Sequence, residues 1–238
     1  MFSENMSAVR GCAVLLLLAV AVSEGKPPRI IGGQEVVPYS VKYQASLQYK
    51  GSHYCGGTLV HPEWVVSAAH CWRPSGLIQV VLSEHNLNAV EGFEQVFNVS
   101  QIHLHGFNYR TFDNDIMLLK LSRQAVLNSY VQPAVLVDPS DPLSRSSCTV
   151  SGWGLTQIYS STLSPVLRAV DVQMIDYCRY YYRWRISNNM VCAGSRYGGK
   201  DSCQVPLCFS HTLAREQGTI AALRLCYGPQ NPTWGSRP

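Results

Sequence analysis

The sequence predicts an all-β protein, and three observations carry that prediction. Short runs rich in Val, Ile, Leu and Tyr recur from residue 30 onward. Turn-forming residues separate them, as a barrel or sandwich of many short strands requires. No long segment repeats its apolar residues at helical spacing, and no internal repeat is legible.

Taken in order, the expected strands are Tyr43–Tyr49, Thr58–Val60, Ile78–Leu82, Ile116–Leu121 and Val166–Val172. Lys50-Gly51-Ser52 and His61-Pro62-Glu63 supply turns between them. From Val205 the character changes. Leu213–Leu225 reads as a short helix, and Gln230–Pro238 is rich in Pro, Gly and polar residues. Residues 205–238 therefore read as a divergent tail, a separate piece attached to the rest.

The 238 residues fit one large domain or two small ones packed together. Hydrophobic residues make up 46% and charged ones 14%, which allows a substantial core and argues against wholesale disorder. The net charge of +4 is mild and spread along the chain without a run of Lys or Arg, so nucleic acid is not an expected partner.

At the N-terminus Arg10 precedes an apolar run from Cys12 to Val22, followed by Ser23, Glu24 and Gly25. The run is shorter than the roughly 20 residues that span a bilayer. A positive flank, a short apolar segment and the small residues Ala21-Val22-Ser23 read as a secretory signal peptide over residues 1–23. No later segment is apolar enough to anchor the product. A secreted, extracellular, monomeric protein without a membrane anchor is the expectation.

Of the nine cysteines, Cys12 leaves with the signal peptide, and the remaining eight suit an oxidising compartment. There is no CxxC pair, and the histidines do not sit at zinc-ligand spacing around the cysteines. Asn98-Val99-Ser100 is a glycosylation sequon, placing a candidate glycan on Asn98.

The chemistry-bearing motifs are a His segment and an Asp segment far apart in the chain. A hydroxyl is a weak nucleophile at neutral pH and needs a base to take its proton. That base must be held in one tautomer by a third group, often a carboxylate. The first segment is Cys55-Gly56-Gly57-Thr58-Leu59-Val60, then Trp64-Val65-Val66-Ser67-Ala68-Ala69-His70-Cys71. The second is Asp113-Asn114-Asp115-Ile116-Met117-Leu118-Leu119-Lys120-Leu121. Ser151-Gly152-Trp153-Gly154 and Met190-Val191-Cys192-Ala193-Gly194 follow. In this order and at these spacings, residues 30–204 resemble the trypsin-like serine protease family.

The resemblance implies two packed six-stranded antiparallel β-barrels, with His70 as general base and Asp115 as the group that orients it. Lys26-Pro27-Pro28-Arg29 before Ile30-Ile31-Gly32-Gly33 is similar to the family's activation junction. It implies a short propeptide over residues 24–29 and cleavage between Arg29 and Ile30. The loop from Glu84 to Glu94 resembles the family's calcium loop, implying a structural calcium. Side chains would come from Glu84 and Glu94, carbonyls from Asn86 and Ala89, and a water-mediated contact from Glu91. Asp201, in Gly198-Gly199-Lys200-Asp201-Ser202-Cys203-Gln204, falls where trypsin-like members pair with a substrate Lys or Arg.

The match then stops. After Gln204 the family should read Gly-Asp-Ser-Gly-Gly-Pro, whereas this chain reads Val205-Pro206-Leu207-Cys208-Phe209-Ser210. The nucleophile, the aspartate that should receive the Ile30 ammonium and an oxyanion-hole glycine are all missing from that place. Family pairing would join Cys55 to Cys71 and Cys178 to Cys192. Cys148 and Cys203 would each need a downstream partner, and only Cys208 and Cys226 lie there, so their pairing stays open.

The second barrel is therefore expected to be incomplete, and the tail to arise from altered splicing or a reading-frame change. The family reaction is hydrolysis of peptide bonds after Lys or Arg through an acyl-enzyme. This chain is expected to be inactive in it. The alternative is a non-catalytic decoy, so the expected partners are protein or peptide substrates, or protease inhibitors.

Overall fold

The computed structural model describes residues 33–136, 147–155, 162–174, 186–190 and 192–194, together with the backbone of 211–215 and 218–223. The sequon, the acidic loop and the His and Asp segments fall within these stretches. Arg29, Ile30, Cys178 and Asp201 lie outside them.

Six strands close into a barrel: β2 (Gln44–Tyr49), β3 (Ser52–His61), β4 (Trp64–Ser67), β5 (Ile78–Leu82), β6 (Gln95–Leu104) and β7 (Met117–Leu121). Their order around it is β2-β3-β4-β7-β6-β5, all antiparallel. β7 shows why a sequence of this kind makes a barrel wall. Met117, Leu119 and Leu121 are buried while Leu118 is exposed and Lys120 half-buried, the period-two pattern of a strand with one face inward. The β2–β3 hairpin turns on Lys50-Gly51, both at positive φ (51° and 75°), as the right-handed twist of a two-residue hairpin demands.

The barrel is filled by Leu47, Leu59, Val65, Val80, Leu82, Phe97, Met117 and Leu119, with Ala68, Ala69 and Cys71 sealing the end that carries His70. Gly57 belongs to this packing. A Cβ there would lie 2.8 Å from Val65 Cγ1 and 3.0 Å from Leu47 Cδ1. Any residue with a Cβ would have to displace core side chains here.

The second sheet runs β1 (Gln34–Glu35), β9 (Arg168–Met174), β8 (Ser147–Gly152), β11 (His211–Arg215) and β12 (Gly218–Leu223), with β10 (Ala193–Gly194) also on β9. It is a partial counterpart of the barrel, as the sequence implied. The expected helix over Leu213–Leu225 is corrected: the described residues of that stretch belong to β11 and β12, which pair antiparallel, and β11 pairs with β8 from Thr212↔Ser151 to Ala214↔Thr149. The physical reason lies in β8, whose outer edge would otherwise present a row of unpaired N–H and C=O groups. This part of the tail is thus a continuation of the second sheet and not a separate piece.

Several bonds fasten the two sheets. The His85 carbonyl accepts from Leu167 N–H at 2.9 Å and from Trp153 Nε1–H at 2.9 Å. Leu87 N–H donates to the Pro165 carbonyl at 2.8 Å. His85 Nε2 meets Glu35 Oε1 at 3.1 Å. The segment following β5 therefore serves as the dock for the second sheet.

Candidate active site

His70 and Asp115 are brought together by strand register. β4 pairs with β7 so that Ser67 faces Met117. His70 lies three residues beyond Ser67, and Asp115 two residues before Met117, so both emerge at the same rim of the barrel. After β4 the chain makes a 3₁₀ turn over Ala69–Cys71, in which Cys71 N–H bonds the Ala68 carbonyl and Trp72 N–H the Ala69 carbonyl. A disulfide from Cys71 to Cys55 of β3 pins that turn, as the family resemblance implied, and Tyr54 Oη donates to the Cys71 carbonyl at 3.0 Å.

Two hydrogen bonds then fix the imidazole. The His70 backbone N–H donates to Asp115 Oδ1 at 2.8 Å, and His70 Nδ1 lies 2.7 Å from Asp115 Oδ2. With the carboxylate ionised, Nδ1 carries the proton as donor, and the neutral ring keeps its free lone pair on Nε2. Nε2 is buried and has no hydrogen-bond partner among the described residues. The side chains are only 16% and 8% exposed, so the pair interacts through a medium less polar than water. Such an arrangement can take a proton at Nε2 and hold the resulting imidazolium against a carboxylate.

Asp115 sits on a tightly wound loop. Asn108 and Asp113 form an isolated bridge, and Asn108 Oδ1 accepts from Arg110 N–H and Thr111 N–H. The Phe112 ring meets that of His70 in a T-shaped arrangement, with centroids 6.3 Å apart, and packs against the cluster of Ile186, Met190 and Cys192.

Comparison with known proteins agrees with this geometry. The family model described as Trypsin matches residues 30–205. The chain belongs to the trypsin family of serine proteases. It is similar to Trypsin-1 of Salmo salar, 44% identical over 92% of this chain and 90% of that one. It is likewise similar to Trypsin of Sus scrofa, 44% identical over 74% of this chain and 76% of that one, and to Serine protease 1 of Canis lupus familiaris, 44% identical over 80% of this chain and 77% of that one.

The acidic loop of this trypsin-family chain gathers Glu84, Glu91 and Glu94, each with a carboxylate oxygen within 4.8 Å of the others. Glu84 is buried; its Oε2 accepts from Gln48 at 3.4 Å, and its Oε1 has no hydrogen-bond partner among the described residues. Desolvation, reinforced by the charges of Glu94 and Glu91, pushes its carboxyl up to about 7. Glu94 moves the other way. Its partial desolvation is outweighed by backbone N–H groups of Glu91, Glu94, Gly92 and Phe93, which hold it below its ordinary value. Glu91 Oε2 accepts from the backbone N–H groups of His85 and Asn86, at 3.2 and 3.0 Å. The Asn86 carbonyl already accepts from Ala89 N–H at 2.9 Å. An orphaned buried carboxylate oxygen beside two further carboxylates is a donor set that suits a hard, oxygen-seeking cation.

Of the other expected sites, Cys192 is disulfide-bonded, while Cys178, the partner implied for it, lies outside the described residues, as does Asp201. Asn98 is exposed on β6. Asp113, Ser187 and Asn189 had no role in the sequence reading, yet they join the Asp115 loop to the second sheet's side of the molecule. Nothing in their local sequence signals this, because the partners lie 74 and 76 residues apart.

Proposed function

We propose that this chain keeps the proton-handling half of a trypsin-family endopeptidase and lacks the nucleophile that half serves. His70 is the general base and Asp115 its orienting carboxylate. One juxtaposition carries the reading: the doubly bonded His70–Asp115 pair stands in a chain that continues after Gln204 as Val205-Pro206-Leu207-Cys208. No Gly-Asp-Ser-Gly-Gly-Pro follows. Loss of one oxyanion donor alone costs roughly 100- to 1000-fold in rate. Loss of the serine as well removes the acyl-enzyme route altogether. Family chemistry at Asp201 would direct a competent relative to bonds after Lys or Arg. Secretion after removal of residues 1–23, processing between Arg29 and Ile30, and a structural calcium held by Glu84 and Glu94, the Asn86 and Ala89 carbonyls and, through a water, Glu91 belong to the same proposal. Calcium would supply positive charge to the acidic loop and leave the proton transfers to His70.

The test is labelling of the purified chain, cut after Arg29, with a serine-reactive phosphonate bearing a basic side chain. No label and no hydrolysis of a Lys/Arg peptide ester are expected. Covalent labelling would refute the reading. Tight binding of a trypsin inhibitor without labelling would identify a decoy.

A further inference from the structure

Asp113 lies two residues before Asp115, and its Oδ1 accepts from Ser187 Oγ at 2.5 Å and from Asn189 Nδ2 at 3.2 Å. The same Asn189 amide donates to Asn114 Oδ1 at 2.9 Å. These bonds cross from the barrel's 108–115 loop to the 186–190 segment, where Ile186 and Met190 also receive the Phe112 ring. The loop they hold is strained. Phe112 and Asn114, on either side of Asp113, have φ of 57° and 54°. Left-handed backbone is tolerated by Asn but strains an aromatic residue, and it persists only where the surroundings over-determine it. Asn114 then passes its orientation on, because its carbonyl accepts Ile116 N–H at 2.7 Å and so brackets Asp115.

We infer that Asp113 is a positioning residue: by fastening the strained 112–114 backbone to Ser187 and Asn189, it sets Asp115 where one carboxylate meets both the backbone N–H and the Nδ1 of His70. A surface cluster of polar groups would ordinarily contribute little. Here its location between two left-handed residues, two positions from the carboxylate, gives it leverage over the pair. The Asp113 carboxyl is held below its ordinary value, chiefly by the Ser187 hydroxyl and then by Asn189, so it is ionised and a strong acceptor at neutral pH. This inference rests on the geometry of the pair and is independent of whether the chain turns over a substrate.

The experiment follows the His70 Nδ1–H proton of the full chain by proton NMR, in the far-downfield region where a ring N–H bonded to a carboxylate resonates. In Asp113→Ala the resonance broadens away, or its exchange with water quickens by roughly tenfold, the factor expected for loss of a charge-assisted hydrogen bond that orders a loop. Asp113→Asn retains the acceptor oxygen without its charge and so brings the exchange back toward the wild-type rate, a partial rescue that a general loss of stability would not show. A folded Asp113→Ala protein, by far-ultraviolet circular dichroism, with unchanged exchange overturns the inference. Where that variant does not fold, Ser187→Ala removes one donor and leaves the loop sequence intact. Faster exchange at His70 supports the inference there, and unchanged exchange overturns it.

Discussion

Ser151 Oγ donates to Gln44 Oε1 at 2.7 Å, and both side chains are almost wholly buried. The bond spans 107 residues of sequence and joins β8 of the second sheet to β2 of the barrel. The Gln44 amide nitrogen is also placed, within 3.3 Å of the Ala45 carbonyl and 3.4 Å of that of Gly57. A buried amide stripped of its partner keeps its desolvation cost. Ser151→Ala and Gln44→Ala are each expected to lower stability by ~1–3 kcal/mol. Because the residues share one bond, the double variant should cost less than the sum of the two. Urea unfolding of the four proteins measures this, and strict additivity would remove the bond from the account of how the sheets are joined.

Gly57 gives a sharper test of barrel packing. Its missing Cβ is the space that Val65 Cγ1 and Leu47 Cδ1 occupy. Gly57→Ala therefore overpacks the core and should cost ~1–3 kcal/mol, the usual range for an added methyl in a filled interior. Pairing it with Val65→Ala makes room for the methyl, so the double variant should lose less than the two single losses combined. Gly76 and Gly51 provide controls of opposite kinds. An added Cβ meets nothing at either, but Gly51 stands at φ 75° and Gly76 does not. Gly76→Ala should then be near neutral and Gly51→Ala destabilising through the backbone alone.

Tyr54 makes stability depend on alkaline pH. Burial pushes its phenol up to about 12, partly offset by the nearby Arg73 guanidinium. The unfolded chain ionises it near 10, its ordinary value. A folded-state value above the unfolded one means that the stability tied to the neutral phenol is fully present below pH 10. It is lost as pH rises toward 12. The hydroxyl also donates to the Cys71 carbonyl beside His70, so ionisation would put a negative charge against a carbonyl oxygen. Thermal melts between pH 9 and 12 should fall more steeply for wild type than for Tyr54→Phe. Parallel curves would contradict this.

How much of this was legible in the sequence depends on the range of the interaction. The His70 and Asp115 segments, the Cys55–Cys71 bridge and the acidic residues 84–94 are local motifs, and the structure brings each set together. Strands such as Ile78–Leu82 and Ile116–Leu121 announced themselves as short apolar runs between turn residues, and they correspond to β5 and β7. Leu213–Leu225 was misread because its apolar spacing fits either period over so short a run, and the open edge of β8 decides the matter. Asp113 with Ser187, and Gln44 with Ser151, are non-local hydrogen bonds between common polar residues. No composition or spacing rule could single them out.

The acidic loop carries the last prediction, in which one substitution should have opposite effects in two solutions. Without a cation, Glu84 is poorly solvated and, secondarily, crowded by Glu94 and Glu91, which is why its carboxyl is pushed up to about 7. Glu84→Gln removes that repulsion with almost no change of shape. In a chelator the variant should therefore melt at or above the wild-type temperature. With calcium present the order should reverse, because a ligand that binds only the folded chain stabilises it by about 2.7 kcal/mol at one hundred times its dissociation constant. The variant has lost a carboxylate oxygen that such an ion requires. Glu94→Gln should lose the calcium response too, but its carboxylate also accepts N–H groups of Glu91 and Gly92, so it should be less stable in chelator as well. Differential scanning calorimetry of the three proteins, each with calcium and with chelator, reads all six values. Equal melting of the wild type in both solutions would rule out calcium at this loop.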